Sequence, residues 1–284
     1  MKIKRVILAI YFYFRKRILF EDKFGLSYYL YKNTRPQDTF QRRVRTDDTT
    51  VLTVVNSILT HISKDGSKKN LHCIDVGAYI GVVSLMMLKA MQGSVSQWRV
   101  HSFEPSRETF IRLTENIELN HYSKNIELNN IGVSDNMGTY TLSVDSDKPG
   151  QNHLVSHVSS SCKQIDKVKI ITLYQYLMKK EIDHVAVCKI DAEGVDHLVL
   201  KGLGSYLEEC KVDYFILEYE SAESQEKLKK LLDQYNYSIY YMVRNMDCLV
   251  TRVDLYPNSA QSLINILAVS PLVNTDSFKS LLRN

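Results

Sequence analysis

The sequence predicts an α/β fold in which a mostly parallel sheet carries helices on both faces. Short apolar runs alternate along the chain with segments of helical periodicity, a pattern typical of strand–helix–strand units. One such run, residues 71–77, leads into a glycine turn and then at once into a helical segment. Several later runs end in acidic residues, at the strand ends where open α/β sheets bind ligands. We therefore expect a Rossmann-like sheet organised around the turn after residue 77.

Charge divides the chain into two parts. Its 284 residues suffice for one large domain with an appendage, and its net charge is +4. Residues 1–45 hold 12 Lys and Arg against 3 acidic residues, whereas the remainder holds 24 against 29. We therefore predict a basic N-terminal arm over residues 1–45 and the main domain over residues 46–284. The mildly acidic body argues against a nucleic-acid partner.

The start of the arm leaves three interpretations open. A nine-residue apolar run, 6–14, lies between MKIKR and RKR. It is shorter than the roughly 20 residues of a membrane span, and no small-residue cleavage site follows it. It fits an interfacial anchor on anionic lipid, a docking helix or an ordinary packed helix. A peripheral membrane contact through residues 1–20 is thus one expectation, and residues 20–45 are expected to form an irregular connection.

The cysteines indicate the compartment. There are five, they are scattered, and none has C-x-x-C spacing. This usage favours a reducing environment and argues against a zinc site. We expect a cytoplasmic protein, with peripheral contact at the inner face of the membrane as an alternative. Cys73 and Cys188 are expected to be buried as small apolar side chains.

The most informative stretch predicts a nucleotide-type cofactor site. Asp75 ends the strand predicted at 71–77, and Gly77 and Gly81 follow in the spacing D-x-G-x-x-x-G. Glycines permit a tight turn and a close approach of the backbone to a ligand. The N-terminus of the following helix presents N–H groups to such a ligand.

The next two predicted strands add candidate cofactor contacts. Glu104 ends the strand predicted at 98–105 and lies 23 residues beyond Gly81, a distance at which an acid binds ribose hydroxyls in related folds. The alternative is a surface acid at a strand end. Ser106 is positioned to cap the next helix. Asn130 closes a third strand, predicted within 125–134, and either contacts an adenine or shapes a turn.

A second pair of acids predicts the catalytic residues. Asp191 and Glu193 follow the buried strand of HVAVCKI and precede Gly194. Carboxylates at such a position act as a base, a hydrogen-bond acceptor or a metal ligand. The alternative is that Asp191 only caps the following turn.

The remaining segments complete the sheet. Helices are predicted over 46–62 and after residue 220, and a buried strand over 212–220. Residues 237–245 and 262–270 are expected to be antiparallel partners, and residues 137–145 to be an added antiparallel strand. Residues 148–166 are polar and turn-rich, like insertions that often cover active sites.

Four stretches in this order resemble a known family. IDVGAYIG, SFEP, NIELN at 116–120 and KIDAEGVDHLVLKG are similar to those of FkbM-type methyltransferases, a branch of the class I S-adenosylmethionine-dependent enzymes. The resemblance covers roughly residues 50–270. It implies a Rossmann-like class I methyltransferase fold, with a seven-stranded, mostly parallel sheet of six parallel strands and one antiparallel strand.

The resemblance also implies roles for particular residues. It implies that the methionine and ribose part of S-adenosylmethionine is contacted by Asp75, Gly77, Ala78 and Gly81. It also implies that Glu104 binds the ribose hydroxyls. Asp191 and Glu193 are placed beside the transferring methyl group. The family usually has Asn where this chain has Tyr79. Val-Asp-His at 195–197 replaces a more usual Ala-Glu-Leu, so no role is carried over to Asp196 or His197.

The resemblance implies O-methylation of a hydroxyl on a sugar, glycolipid or secondary metabolite, hence a small-molecule or glycan acceptor. No metal site is predicted, although a divalent metal held by Asp191 and Glu193 is an alternative. Two other classes remain open. One is a catalytically inactive cofactor-fold module that binds a partner through the arm. The other is an NAD-dependent oxidoreductase, which is disfavoured because the turn lacks G-x-G-x-x-G.

Overall fold

A computed structural model describes residues 17–31, 50–65, 70–94, 97–144, 152–155, 164–218, 222–243, 248–251 and 263–283. The strands are β1 (Arg17–Glu21), β2 (Ser27–Tyr31), β3 (Asn70–Val76), β4 (Gln97–Phe103), β5 (Ile126–Asn129), β6 (Gly132–Val133), β7 (Gly138–Val144), β8 (Asn152–Val155), β9 (Gln164–Ile171), β10 (Val185–Ile190), β11 (Val212–Glu218), β12 (Ser238–Val243), β13 (Cys248–Val250), β14 (Leu263–Val269) and β15 (Leu282–Arg283). The helices are α1 (Thr50–Asp65), α2 (Val82–Ala90), α3 (Arg107–Leu119), α4 (Leu173–Lys179), α5 (Asp196–Lys201), α6 (Ser205–Glu208) and α7 (Ala222–Gln234), with a 3-10 turn at Lys279–Leu281.

The main sheet confirms the predicted fold class. Its strand order is β15-β13-β12-β14-β11-β10-β3-β4-β5. Within the seven strands from β12 to β5, β14 runs antiparallel to both of its neighbours and the other six are parallel. The expected pairing of the two late strands is therefore confirmed. The short strands β13 and β15 extend the sheet beyond the seven at one edge.

Helices cover both faces of this sheet because the central strands are apolar on both sides. Strand β10 is buried at every position, as expected of a parallel strand between helical layers. One core packs α1, α2 and α3 against the sheet, and the other packs α4 to α7 against the opposite face. Cys73 lies in the first core and Cys188 in the second, so both cysteines are buried as predicted.

The boundaries near the glycine turn agree with the sequence. Asp75 is the penultimate residue of β3, and α2 begins directly after Gly81. Strand β4 ends at Phe103, which leaves Glu104 just beyond the sheet. The predicted cap of α3 is confirmed, because Ser106 Oγ accepts the N–H of Thr109 at 3.5 Å.

A separate four-stranded sheet, in the order β6-β9-β7-β8, adds a feature that the sequence did not reveal. The segment 125–134 divides into β5 of the main sheet and β6 of this smaller one. The added strand expected at 137–145 is confirmed as β7, antiparallel to β8 and β9. Within the polar insertion, residues 148–151 and 156–163 lie outside the described residues, and with them the prediction that the insertion covers the site.

The N-terminal region corrects one expectation. An irregular connection over residues 20–45 is wrong for residues 20–31, because β1 and β2 form an antiparallel hairpin. Leu26, Tyr28 and Leu30 of this hairpin are buried in the core with α1, α2 and α3. Residues 17–31 therefore share the core of the domain that was predicted to begin at residue 46. Residues 1–16 and 32–49 lie outside the described residues, including the apolar run at 6–14.

Alternation along β2 explains the hairpin. Its burial pattern changes at each residue, with Tyr28 and Leu30 facing inward, as in a strand with one buried face. This strand was not predicted from the sequence, because the alternation is short and the region was interpreted from its net positive charge. In the part of the chain that the structure covers, no helix has the length and apolar character that crossing a membrane requires.

Candidate functional site

Two loops meet at the carboxyl ends of β3 and β10. We call residues 77–81 the glycine loop and residues 191–194 the acidic loop. Strands β3 and β10 are parallel neighbours, with Asp75 paired to Lys189 in register. From β3 the chain proceeds to β4 on one side, while β10 lies on the other. The loops therefore flank the point where strand order reverses, which is where open α/β sheets bind ligands.

Close packing fixes the glycine loop. Gly77 has a φ of 69°, and a Cβ at this position would overlap the backbone oxygen of Asp191. The missing side chain therefore makes room for the acidic loop, whereas the sequence interpretation assigned that room to a ligand. A Cβ on Gly81, where φ is 92°, would lie 2.6 Å from Leu113 Cδ1 of α3. Both glycines thus permit contacts within the protein.

Most amide groups of the glycine loop are also used internally. The N–H groups of Gly77 and Ala78 both donate to Phe103 O at 3.0 Å, and that of Gly81 donates to Ala78 O at 2.8 Å. The loop is thereby tied to the end of β4, where Glu104 follows. Fewer N–H groups of this loop are therefore available to a ligand than the sequence predicts.

Tyr79 adopts a conformation that few side chains favour. Its φ is 51°, in the left-handed region where Asn is enriched and bulky residues are rare. Its N–H donates to Glu104 Oε2 at 2.9 Å, which holds the loop in this conformation. Asn, which the family resemblance implies at this position, tolerates the left-handed region better than Tyr does.

Asp75 presents a buried carboxylate at the sheet edge. Its side chain is fully buried, and Ser84 Oγ donates to its Oδ2 at 2.5 Å. Ser102 Oγ lies 2.7 Å from Ser84 Oγ. Because a carboxylate only accepts, the single Ser84 proton goes to Asp75 and Ser102 donates to Ser84. Burial raises the pKa of Asp75, while the Lys189 ammonium and Ser84 act in the opposite direction.

The other oxygen of Asp75 is suited to a ligand. Oδ1 is buried and accepts no hydrogen bond from the described part of the chain, and it lies 3.7 Å from Lys189 Nζ. A buried acceptor that lacks a hydrogen-bond donor lowers stability. A ligand that donates a hydrogen bond to Oδ1 would offset this cost, which is a physical reason to retain the unpaired oxygen. The edge of the sheet at Asp75 therefore fits a cofactor that carries polar hydrogens.

Glu104 is buried and doubly anchored. Oε2 accepts the Tyr79 N–H and Oε1 accepts the Ser106 N–H, each at 2.9 Å. Burial raises the pKa of Glu104 to about 7, although the two N–H groups oppose the shift. Each oxygen retains a further lone pair, so the group can still accept from ribose hydroxyls.

Asn130 has contacts of another kind. Its Nδ2 donates to Glu104 O at 2.8 Å and to Pro105 O at 3.1 Å. These bonds favour the interpretation that Asn130 shapes the turn after β4. A contact with the adenine stays a prediction.

The acidic loop places its carboxylates within reach of solvent. Asp191 N–H donates to Val76 O at 3.1 Å, which aligns the loop with the end of β3. Asp191 Oδ2 lies 3.1 Å from Lys189 Nζ, and its side chain is 31% exposed. Glu193 is also partly exposed and has a φ of 52°. Both acids are thus accessible from solvent.

Sequence reasoning missed two residues at this site. Asp196 is buried, and its Oδ1 accepts the Ala192 N–H at 2.7 Å while its Oδ2 accepts the Glu218 N–H at 3.1 Å. Burial raises the pKa of Asp196 to about 7 against those two bonds. Asp196 therefore ties the acidic loop to the end of β11. The second residue is Lys189, whose only sequence signal is a charge within an otherwise apolar strand.

No described group of three or more His, Cys, Asp and Glu side chains is arranged to hold a metal ion. Asp75, Asp191, Glu193 and Glu104 nevertheless come from three strand ends and lie along one edge of the sheet. The structure thus brings the predicted cofactor acids and the predicted catalytic acids to the same edge.

The strand order and the site at its reversal point define the class as a Rossmann-like fold of the class I methyltransferase type. The profile of the family described as "Methyltransferase FkbM domain" matches residues 75–243, more than half of the chain. The chain belongs to the FkbM methyltransferase family. A search of curated proteins finds no match.

Three solved structures are among those that are similar to this chain. The FkbM methyltransferase of Methylobacillus flagellatus KT is 15% identical, with a TM-score of 0.44 over 70% of this chain and 44% of that one. The N-terminal domain of human METTL16 is 15% identical, with a TM-score of 0.48 over 87% and 76%. A precorrin-6y C5,15-methyltransferase from Geobacter metallireducens GS-15 is 9% identical, with a TM-score of 0.42 over 78% and 87%.

Proposed function

We propose that this protein is an S-adenosylmethionine-dependent O-methyltransferase acting on a hydroxyl of a sugar, glycolipid or secondary metabolite. The observation that carries the proposal is the meeting of the glycine loop and the acidic loop at one sheet edge. Family membership supports methyl transfer as the chemistry, and the acids of the second loop support a hydroxyl as the acceptor.

The glycine-loop side of the edge is proposed to hold the cofactor. Asp75 Oδ1 supplies a buried acceptor, and Glu104 supplies lone pairs for the ribose hydroxyls. Gly77, Ala78 and Gly81 keep the backbone of the loop close to both acids. S-adenosylmethionine supplies a methyl group that its sulfonium already activates, so the protein's task is alignment and proton removal.

The acidic loop is proposed to receive the acceptor. A hydroxyl that attacks a methyl group loses its proton during or after the attack, and a nearby carboxylate can take it. Asp191 and Glu193 are the candidates because both are partly exposed and follow the strand beside β3. Lys189 beside Asp191 favours the ionised form that a base requires.

Two alternatives make different predictions. An NAD-dependent oxidoreductase is disfavoured by the family match and by Ala78 and Tyr79 within the glycine loop. An inactive module would release no S-adenosylhomocysteine with any acceptor. It would also function unchanged after the substitution Asp191→Asn.

The proposal is tested with labelled methyl donor. Purified protein is incubated with donor and with glycan and lipid extracts of the source cells, and labelled products are separated. We expect Asp191→Asn to abolish transfer while donor affinity, measured by calorimetry, stays within about threefold, a change of less than about 1 kcal/mol. Loss of donor affinity as large as the loss of transfer would contradict the catalytic assignment.

Asp183→Asn is the matched control, because Asp183 is exposed and precedes β10 at the opposite end of the strand. This variant is expected to transfer methyl groups at the wild-type rate. A labelled methyl group found on a nitrogen or carbon atom of the product would retain the methyltransferase proposal and refute O-methylation.

We also propose a cytoplasmic location with contact to the inner membrane face through residues 1–20. Its support is the cluster of positive charge around an apolar run in the sequence. Full-length protein should sediment with vesicles that contain anionic lipid and remain in solution with neutral vesicles. Equal behaviour with both kinds of vesicle would contradict this part of the proposal.

A further inference from the structure

Lys189 is the charged residue of a strand whose other members are Val, Ala, Cys and Ile. It is 8% exposed, and every residue of β10 is buried. Burying a lysine in such a place is costly unless its charge is paired and its N–H groups find acceptors. Lys189 is not among the proposed contacts with the cofactor or the acceptor, and its charge beside Asp191 accounts for only one of its interactions. The others require a separate explanation.

Three acceptors surround its ammonium group. Nζ lies 3.1 Å from Asp191 Oδ2, 3.2 Å from Gly77 O and 3.7 Å from Asp75 Oδ1. The first two distances are hydrogen bonds, and the third is an ion pair. The acceptors belong to the acidic loop, the glycine loop and the end of β3. One side chain therefore contacts all three parts of the candidate site.

We propose that Lys189 is a positioning residue for methyl transfer, which fixes the glycine loop against the acidic loop and places a positive charge beside the carboxylates of Asp75 and Asp191. This inference rests on the proposed function. Through Gly77 O and Asp191 Oδ2, Lys189 sets the separation between the cofactor side and the acceptor side. A misplacement of about 1 Å is enough to slow a positioned reaction about 100-fold.

Charges from five elements act on this position. They are Asp75 on β3, Glu104 after β4, Asp191 after β10, Asp196 on α5 and Glu218 on β11. All five are acids, so among the described groups that act here, removal of the ammonium leaves the Asp75 carboxylate with acidic neighbours alone. Burial and Asp191 both raise the pKa of Asp75, and the Lys189 charge acts against them. Without Lys189, protonation of Asp75 is expected at higher pH.

The test compares Lys189→Met, Lys189→Arg and Lys211→Met. The first removes the charge, and the second retains it on a planar group that cannot reproduce the same three contacts. Lys211→Met is the matched control, because it removes a partly exposed lysine whose Nζ lies 2.7 Å from Glu209 Oε2, just before β11. For each protein, donor affinity and the single-turnover rate are measured from pH 5 to 9. The Asp carboxyl groups of the donor-free protein are titrated by NMR after selective labelling.

The two Lys189 variants are expected to differ in a way that separates charge from position. Lys189→Met should weaken donor affinity at least about tenfold at neutral pH and shift the acid limb of both profiles upward by about one to three pH units. Lys189→Arg should leave the acid limb in place and lower the rate. A residue that only supports the fold would change stability without moving the acid limb.

The contradicting results are equally specific. Lys189→Met with an unchanged Asp75 titration would overturn the role in charge. A wild-type rate in Lys189→Arg would overturn the role in position, and this variant decides the matter if Lys189→Met does not fold. If wild-type protein binds no donor while Lys189→Met still shifts the Asp75 titration, the proposed function fails and the charge role survives. If donor binding and transfer are normal in both Lys189 variants, only the present inference fails.

Discussion

The glycine loop and the acidic loop both use left-handed residues, but for different reasons. Gly77 in the first loop leaves no space for a Cβ beside the Asp191 backbone. Gly194 in the second loop has a φ of 87°, and no described atom lies within 4 Å of the position a Cβ would take. One glycine therefore permits the loops to touch, and the other only permits a backbone conformation.

A buried carboxylate anchors each loop in the same way. Glu104 holds the glycine loop through the Tyr79 N–H, and Asp196 holds the acidic loop through the Ala192 N–H. Each acid accepts a second backbone N–H from another segment, which fixes the loop relative to its neighbours. The first loop is therefore held by packing and by a carboxylate, and the second mainly by its carboxylate and Lys189.

The largest effect is expected for Gly77→Ala. The added Cβ meets a backbone oxygen that cannot rotate away, so the free energy of unfolding should fall by about 3 kcal/mol or more. Urea denaturation measures the change. Gly93→Ala is the control, because Gly93 has a φ of 82° but open space around its Cβ position. It should lose only about 1 kcal/mol, and equal losses at both positions would refute the contact between the loops.

The anchoring carboxylates predict a pH effect. Burial raises the pKa of Glu104 and of Asp196 to about 7, above their ordinary values of 4.5 and 3.8. Their contribution to stability is therefore full only below their ordinary pKa values, where both are protonated even in the unfolded chain, and it is lost as the pH rises from there through 7. The decline is on the order of 3 kcal/mol for each group. Glu104→Gln and Asp196→Asn should each flatten the curve of unfolding free energy against pH between 5 and 8. A curve as steep as that of the wild type would contradict the account.

Gly194→Ala should have a smaller effect than Gly77→Ala. Only the left-handed backbone disfavours the new methyl group, at a cost of about 1 kcal/mol. Donor affinity should stay at the wild-type value, because the glycine loop is not disturbed. A loss of donor affinity comparable to that of Gly77→Ala would show that the two loops are alike after all.

The smallest effect is a gain in stability from Tyr79→Asn. Asn tolerates a φ of 51° better than Tyr, so unfolding should require about 0.5 to 1 kcal/mol more free energy. Thermal unfolding measures the change, with Tyr140→Asn as the control at an exposed strand position. A lower unfolding temperature for Tyr79→Asn would indicate that the Tyr79 side chain makes contacts that offset its backbone strain.

Much of the fold was predictable because its signals are local. Strand β3, the turn at Gly77 and helix α2 follow one another without interruption, and Ser106 immediately precedes the helix that it caps. The β1–β2 hairpin was not predictable in the same way. Its burial depends on distant residues such as Asn116, which accepts the Tyr29 N–H at 2.8 Å and donates to Ile80 O at 2.9 Å.

The candidate site shows the same division. Acids at strand ends are visible in the sequence, so Asp75, Glu104, Asp191 and Glu193 could be selected from it. The contacts of Lys189 and Asp196 depend on how neighbouring strands align, which no local pattern records. The sequence likewise attributed the space at Gly77 to a ligand, because the approach of the acidic loop is a contact across more than 100 residues.

The most direct test is a calorimetric titration of wild-type and Gly77→Ala protein with S-adenosylmethionine and, separately, with NAD. We expect one S-adenosylmethionine bound per wild-type chain, no heat of binding with NAD, and loss of donor binding in the variant. Binding of NAD, or no binding of S-adenosylmethionine by folded wild-type protein, would contradict this expectation.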